Sequence, residues 1–188
     1  MPAEFNVNGF TSTINTMGLA NPNKFKVTIA TPEALKQTDE TLRNLSLMCE
    51  TVSIAGRGVQ TILDLQYGLR REIAYNAPVY NPISLSFLCS GELKEKQILD
   101  KWNNHIVPNK GGYGFDVAYY NDYKGTVTVE LLDSDGVTSK YTQIYMEAYP
   151  KTVNAIELNH STQNSVARIT ADFQYAYWKS PNNGVGGG

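Results

Sequence analysis

The sequence predicts a mainly β fold, an antiparallel β-barrel or sandwich with one flanking α-helix. Three observations carry this. Short segments in which apolar and polar residues alternate recur along the chain. Clusters of Gly, Pro, Asn and Asp separate them. Only one segment, about residues 91–106, sustains a helical period.

Residues 1–24 form a polar N-terminal arm, rich in Asn, Thr and Gly, expected to gain order only against something else; a short helix within it stays open. At Phe25 the pattern becomes FKVTI, where Phe25, Val27 and Ile29 alternate with Lys26 and Thr28 as in a half-buried strand, and Thr31-Pro32 ends it. Residues 33–43 read as a polar loop or helical turn, and LSLMCETVSI, 45–54, as a second strand. A long connection then runs from Gly56 to Pro82. Connections of this length are uncommon in compact domains and usually functional. Its Ile62, Leu63, Leu65, Tyr67 and Ile73 are too apolar for a free loop, and a long hairpin packed on a neighbouring subunit accounts for both features. ISLSFL follows as strand three, with Ile83, Leu85 and Phe87 on one face.

The helix is expected from about Gly91 to Ile106. Ser90 is placed to cap it, Glu92 and Glu95 suit the positive end of its dipole, and Ile98, Leu99, Trp102 and Ile106 make its apolar stripe. Glu92 and Lys96 are spaced as an i,i+4 pair. Pro108 and Gly111-Gly112 stop it. The remainder reads as β: an aromatic segment at 113–123, the alternating TVTVELL at 126–132, a DSDG turn at 133–136, YTQIYMEAY at 141–149, and a last pair, TVNAIEL at 152–158 and VARITADFQYAYW at 166–178. In the final strand Ile169, Ala171, Phe173, Tyr175 and Tyr177 share one face. The domains are therefore an arm at 1–24, a single β domain at 25–179, and a Gly-rich tail at 180–188.

Composition removes several functions. The chain has 188 residues, 41% hydrophobic and 18% charged, with a formal charge of −2. That is enough chain for a core without disulfides or metals, and too apolar for intrinsic disorder. A pI of 5.7 argues against a protein that grips nucleic acid. The charge is uneven: residues 113–135 hold Asp116, Asp122, Glu130, Asp133 and Asp135 against Lys124 alone, a local −4 that leaves +2 elsewhere. No apolar run is long enough to span a membrane, and the start lacks the features of a signal peptide, so the chain is expected to stay in the cytoplasm that makes it. Cys49 and Cys89 read as buried free thiols.

Catalytic groups are also missing. His105 and His160 cannot build a His-rich metal site, and there is no HExxH, CxxC or GxSxG. His105 suits a helix C-terminus and His160 a surface turn. Gly56-Arg57-Gly58 lacks the Lys-Ser/Thr of a phosphate loop and leads into no helix. Glu92 with Glu95 reads as a helix start and Asp133 with Asp135 as a turn; the Asn-Xaa-Ser sequences at Asn44 and Asn159 matter only in a secreted protein. The 12 tyrosines suggest base stacking, but the aromatic 113–123 segment lies in the acidic block, which favours strand packing. No enzyme and no cofactor are expected.

Several strings resemble the tail tube proteins of contractile-tailed bacteriophages: NPNKFKVTI, CETVSIAGRGVQ, SFLCSGELKEKQILDKWNNHI, and EAYPKTVNAIELNHSTQNSVARITADFQYAYW at 147–178. The resemblance covers about residues 21–178. It implies a β-barrel-like subunit in hexameric rings that stack into a hollow tube inside a contractile sheath, assembled in the host cytoplasm and carried in the virion. Its implied partners are other copies of the chain, the sheath protein, baseplate and tail terminator proteins; DNA passes through the lumen without specific binding, and no membrane is involved. On that basis Gly56, Arg57, Gly58, Arg70 and Arg71 are expected at inter-ring contacts, and Glu130 and Asp172 are expected to face the lumen. The alternatives are a type VI secretion-like tube protein and a baseplate protein that initiates the tube. A sugar-binding or enzymatic sandwich is the reading from another class.

Overall fold

Alternation in sequence becomes alternation in burial wherever a strand has the core on one side only. The computed structural model describes residues 6–64, 68, 70–108, 116–159, 161 and 165–181. In β1 (Phe25–Ala30) Val27 and Ile29 are buried, and β2 (Cys49–Val52) contributes a half-buried Val52. A separate two-stranded hairpin, β3 (Gly58–Asp64) with β4 (Arg71–Val79), comes next. In β5 (Ile83–Leu88) Ile83, Leu85 and Phe87 are fully buried. β6 (Gly125–Leu132), β7 (Ser139–Val153), β8 (Arg168–Gln174) and β9 (Tyr177–Lys179) complete the set.

The main sheet is seven-stranded and antiparallel, in the order β1-β6-β7-β8-β5-β2, with β9 also on β7. β7 joins its two halves. Its Ser139–Ala148 stretch pairs with β6, and Tyr149–Val153 pairs with β8. The register slips between Gly125↔Ala148 and Thr126↔Met146, and the extra residue, Glu147, takes a left-handed φ of 58°. Such a backbone is strained for a side-chain-bearing residue, and the Glu147 carboxylate is held there by Lys124 at 2.8 Å. Both halves turn their apolar faces into one core, where Tyr145 meets Tyr175 and Trp102 meets Phe173 edge-on. The mainly β class with antiparallel sheets therefore stands.

The helices need more revision. The central one, α3, runs Lys94–Ile106 and buries Ile98, Leu99, Trp102 and Ile106 as expected, but starts later. Leu93 turns left-handed at φ 52°, while the Ser90 hydroxyl accepts from the Lys94 amide at 3.2 Å and donates to Glu95 at 2.9 Å. Lys96 pairs with Asp100 at 2.7 Å, and Glu92 with Lys94 at 2.9 Å, so the expected Glu92–Lys96 pair is replaced. The arm holds α1 (Val7–Met17), and α2 (Asp39–Leu47) takes the first residues of the expected 45–54 strand. Leu42 and Leu45 lie on one helical face, Leu45 is buried, and the Ser46 hydroxyl accepts from Ile29 N on the open edge of β1.

The expected 113–123 strand is, where described, an irregular segment leading into α4 (Tyr120–Tyr123). Tyr120 and Tyr123 are i,i+3 neighbours and pack edge-to-face at 5.4 Å. TVNAIEL is not a strand of its own. Thr152 and Val153 finish β7, which carries Pro150 beside a bulge, and Leu158 is 81% exposed. Both cysteines are free but half-buried rather than buried. Leu65, Tyr67, Gly111, Gly112, Tyr113, Phe115, His160 and the tail beyond Pro181 lie outside the described residues.

Candidate assembly surfaces

The long connection is a hairpin, as its composition suggests, and among the described residues its apolar side chains are left exposed. Ile62 stands opposite Ile73, at 51% and 45% exposure, and Val59, Leu63, Tyr75 and Val79 are exposed as well. An isolated two-stranded hairpin is marginal in water. This one is polar-bonded along its length, by Thr61 to Glu72 at 3.1 Å and Asp64 to Arg71 at 3.7 Å, but its apolar groups remain in solvent. Asn76, left-handed at φ 73°, absorbs the irregularity between the Val59↔Pro78 and Thr61↔Ala74 pairs.

The hairpin's root is fixed. Ala55, just before it, donates its amide to the Tyr145 hydroxyl at 3.0 Å, and its carbonyl accepts from Gln143 Nε2 at 3.4 Å. Tyr145 in turn donates to Gln143 Oε1, and Tyr141 accepts from Gln143 at 2.9 Å. Burial pushes the Tyr145 phenol up to about 12, so it stays a neutral donor. At the far root Tyr80 packs on Tyr175 at 5.7 Å. Neither Gln143 nor Tyr145 stood out in the sequence. The signal was there in the period: Gln143 shares the inward parity of Tyr145 on β7, which marks a buried amide in need of partners.

The expected contact residues separate into two groups. Gly56, Arg57 and Gly58 lie at the root; Arg70 and Arg71 lie at the other end of the strands, beside Asp64. Seven strand residues part them, roughly 20 Å. The two groups therefore mark opposite ends of the hairpin.

Glu130 and Asp172 both point away from the core, on different halves of the sheet. Glu130 stands beside Lys26 on β1, an ion pair of 3.3 Å. Asp172 stands between Ser84 on β5 and Thr152 on β7, flanked along its own strand by Thr170 and Gln174. The rest of the acidic block is partly compensated: Asp133 meets Lys140 at 3.0 Å, and Asp135 accepts from the Val137 and Thr138 amides at 2.9 Å each. The Thr138 hydroxyl and these amides lower Asp135 to about 2.

Two further glycine and thiol features are structural. A Cβ on Gly125 would run into the Ala30 carbonyl and come within 2.8 Å of the Trp102 ring, so β6 starts at a contact only glycine permits. Burial pushes the Cys49 thiol up to about 12, leaving it a poor nucleophile. His105 is in the last turn of α3, 3.3 Å from the Asp122 carbonyl. Among the described residues no group of three His, Cys, Asp or Glu side chains is placed to hold a metal, and no helix is long and apolar enough to cross a membrane.

Comparison of folds places the chain beside known tubes. It is similar to a chain of the sheath-tube complex of an extracellular contractile injection system, PVC, in the extended state, with a TM-score of 0.62, 17% identity, and coverage of 90% of this chain and 96% of that one. It is similar to the tube-terminating cap of the anti-feeding prophage, with a TM-score of 0.61, 15% identity and coverage of 86% and 90%. The SPP1 tail tube aligns at a TM-score of 0.52 and 10% identity, over 86% of this chain and 78% of that one. At these identities the likeness is one of fold. No curated sequence matches the chain. The sequence model of the phage tail tube proteins matches residues 20–181, which include all nine strands described above and all helices except α1. The chain belongs to the phage tail tube protein family.

Proposed function

We propose that the protein forms hexameric rings that stack into the inner tube of a contractile phage tail, the conduit for DNA. The observation that carries this is the β3–β4 hairpin, whose apolar residues are exposed among the described residues and whose root is clamped to the core. A head-to-tail contact whose rotation closes gives a ring, and a second heterologous contact along the axis gives a filament. The hairpin is the axial contact in this reading. Arg57 at its root and Arg70 and Arg71 near its other end then meet two different parts of the adjoining ring. Sheath, baseplate and terminator proteins are the further partners.

The channel wall in this reading is the outward face of β5 and β8, with Ser84, Ser86, Thr170, Asp172 and Gln174. Hydroxyls, a repeated carboxylate, and an Arg168 already paired with Glu50 offer a phosphate backbone only weak, uncharged hydrogen-bond partners on these two strands. Glu130, on the other half of the sheet and paired with Lys26, is assigned away from that wall. Replacing Asp172 with Lys is expected to slow DNA ejection, and Glu130→Lys to leave it unchanged; unaltered ejection with Lys at position 172 would refute the wall assignment.

Assembly itself is tested by light scattering and electron microscopy of the purified chain. Tubes of indefinite length are expected. Single capped rings would point to a tube initiator, and a stable monomer at high concentration would sink every tube reading. The likeness to the PVC sheath-tube chain supports a second reading, the tube of an injection system with protein cargo. Capsid genes beside a sheath gene favour the phage tail; their absence beside a complete sheath and baseplate cluster favours the injection system.

A further inference from the structure

Among the described residues the arm helix α1 buries no side chain against its own subunit and is held by local caps and backbone bonds. It has 11 residues, no buried residue, and no charged side chain to make an i,i+4 pair. Isolated helices of this length are marginal even in Ala-rich sequences, and Gly9 and three threonines lower the propensity further. Its apolar residues are gathered on one side: Val7, Phe10, Ile14 and Met17 follow the i, i+3, i+7, i+10 spacing of a single stripe. Val7, Phe10 and Met17 are 77%, 56% and 82% exposed.

Several polar groups of α1 are already satisfied within the helix. The hydroxyls of Thr11, Thr13 and Thr16 donate to the carbonyls of Val7, Gly9 and Ser12, each at 2.9 Å. Asn6 Oδ1 accepts from the Gly9 amide. Covering this side strands none of these donors. A membrane surface is the poorer host, because interfacial helices carry Lys or Arg on their polar face and α1 carries neither.

An apolar cleft opens at the foot of the arm. The sheet path ends in β1 on one side and β2 on the other, and between these two strands lies a cleft of about 580 Å³. Its walls include Phe25, Val52, Ile54, Val129 and Leu131. Glu50 at its margin is already neutralised by Arg168, which donates through two nitrogens at 2.6 and 3.1 Å. Ala20, Pro22 and Asn23 of the chain's own tether form part of the wall, while the helix beyond them stands in solvent.

We infer that α1 seats its Val7–Phe10–Ile14–Met17 stripe in the β1–β2 cleft of a second copy of this chain, so that each subunit gives one arm and receives another. This rests on the assembly reading above. The exchange is heterologous, so it repeats from copy to copy. It also closes the core of the receiving subunit where Val129 and Leu131 border the cleft.

The test is cysteine cross-linking in the assembled full-length chain carrying Phe10→Cys and Ile54→Cys together. A reducible ladder of covalent oligomers is expected, missing in both single variants and in the parent protein, whose own thiols are half-buried. A cross-link confined to the monomer, which would mean that α1 folds into its own cleft, overturns the inference; so does no cross-link in well-formed tubes, and in both cases the tube reading survives. A wild-type chain that stays monomeric overturns both. Ile14→Asp should abolish elongation without moving the melting midpoint of the subunit; tubes of normal length from that variant count against the inference, as would α1-dependent binding to anionic vesicles.

Discussion

Two strands of this molecule, β5 and β4, alternate in sequence in the same way and end in opposite surroundings. In β5 Ile83, Leu85 and Phe87 are fully buried. In β4 Ile73 and Tyr75 are 45% and 59% exposed, and so is the facing Ile62 on β3. Periodicity states that one side of a strand will be covered; it does not state by which molecule. The sheet around β5 answers within the chain. For β4, as for α1, the cover proposed above is another copy of the chain, which would make their apolar residues interface residues.

The contrast is broken most severely from the core side. Phe173→Ala, opposite Ile83 and edge-on to Trp102, should destabilise the subunit by about 3–5 kcal/mol in chemical denaturation, with assembly lost because the fold is lost. Gly125→Ala should cost about 1–3 kcal/mol or more, since its methyl group has to displace the Ala30 carbonyl or the Trp102 ring; a wild-type melting profile would show that β6 can shift. Tyr145→Phe removes the hydroxyl that holds Ala55 and Gln143, for about 1–3 kcal/mol. Its signature should be faster amide exchange at Ala55 than in the rest of the core. Ile73→Ser is the discriminating variant: subunit stability within about 0.5 kcal/mol of wild type, but no tubes. If it assembles normally, β4 is not the covered strand.

The smallest effect is a pH effect at the 133–138 turn. Asp135 is lowered from 3.8 to about 2 by bonds to Thr138 and Val137, so its contribution is fully present above pH 3.8 and is lost as pH falls through about 2. Amide shifts of Val137 and Thr138 should follow that titration, with the core strands unmoved. A midpoint near 3.8 would mean that the turn bonds do not persist in solution.

Strands were legible wherever one face meets the core of their own subunit: β1, β5, β6 and β8 follow directly from alternation. The failures have local causes. LSLMC is a short apolar run that fits strand and helix alike, and the decisive contact, Leu45 against β1, is tertiary. Tyr120 and Tyr123 have strand propensity, yet pair across one helical turn. The strands expected at 141–149 and 152–158 are one strand as far as Val153, since Pro150 sits where β7 bulges, a place in a sheet that accepts proline. The hairpin itself was legible because residues 56–82 are too apolar for a free loop. Its clamp was not, because Ala55 and Tyr145 are 90 residues apart and carry no local motif.

The clamp also decides how the subunit bears mechanical load. If the hairpin contacts an adjoining ring as proposed, part of a pull on it would pass from the Ala55 amide to Tyr145, in the middle of β7. At that residue β7 is held on both edges, by Val127 of β6 and Trp178 of β9. The clamp therefore adds a central attachment beside the covalent path through the edge strand β2, and β7 links that attachment to both halves of the sheet. A tube made of such subunits would transmit tension along its axis through buried tyrosines.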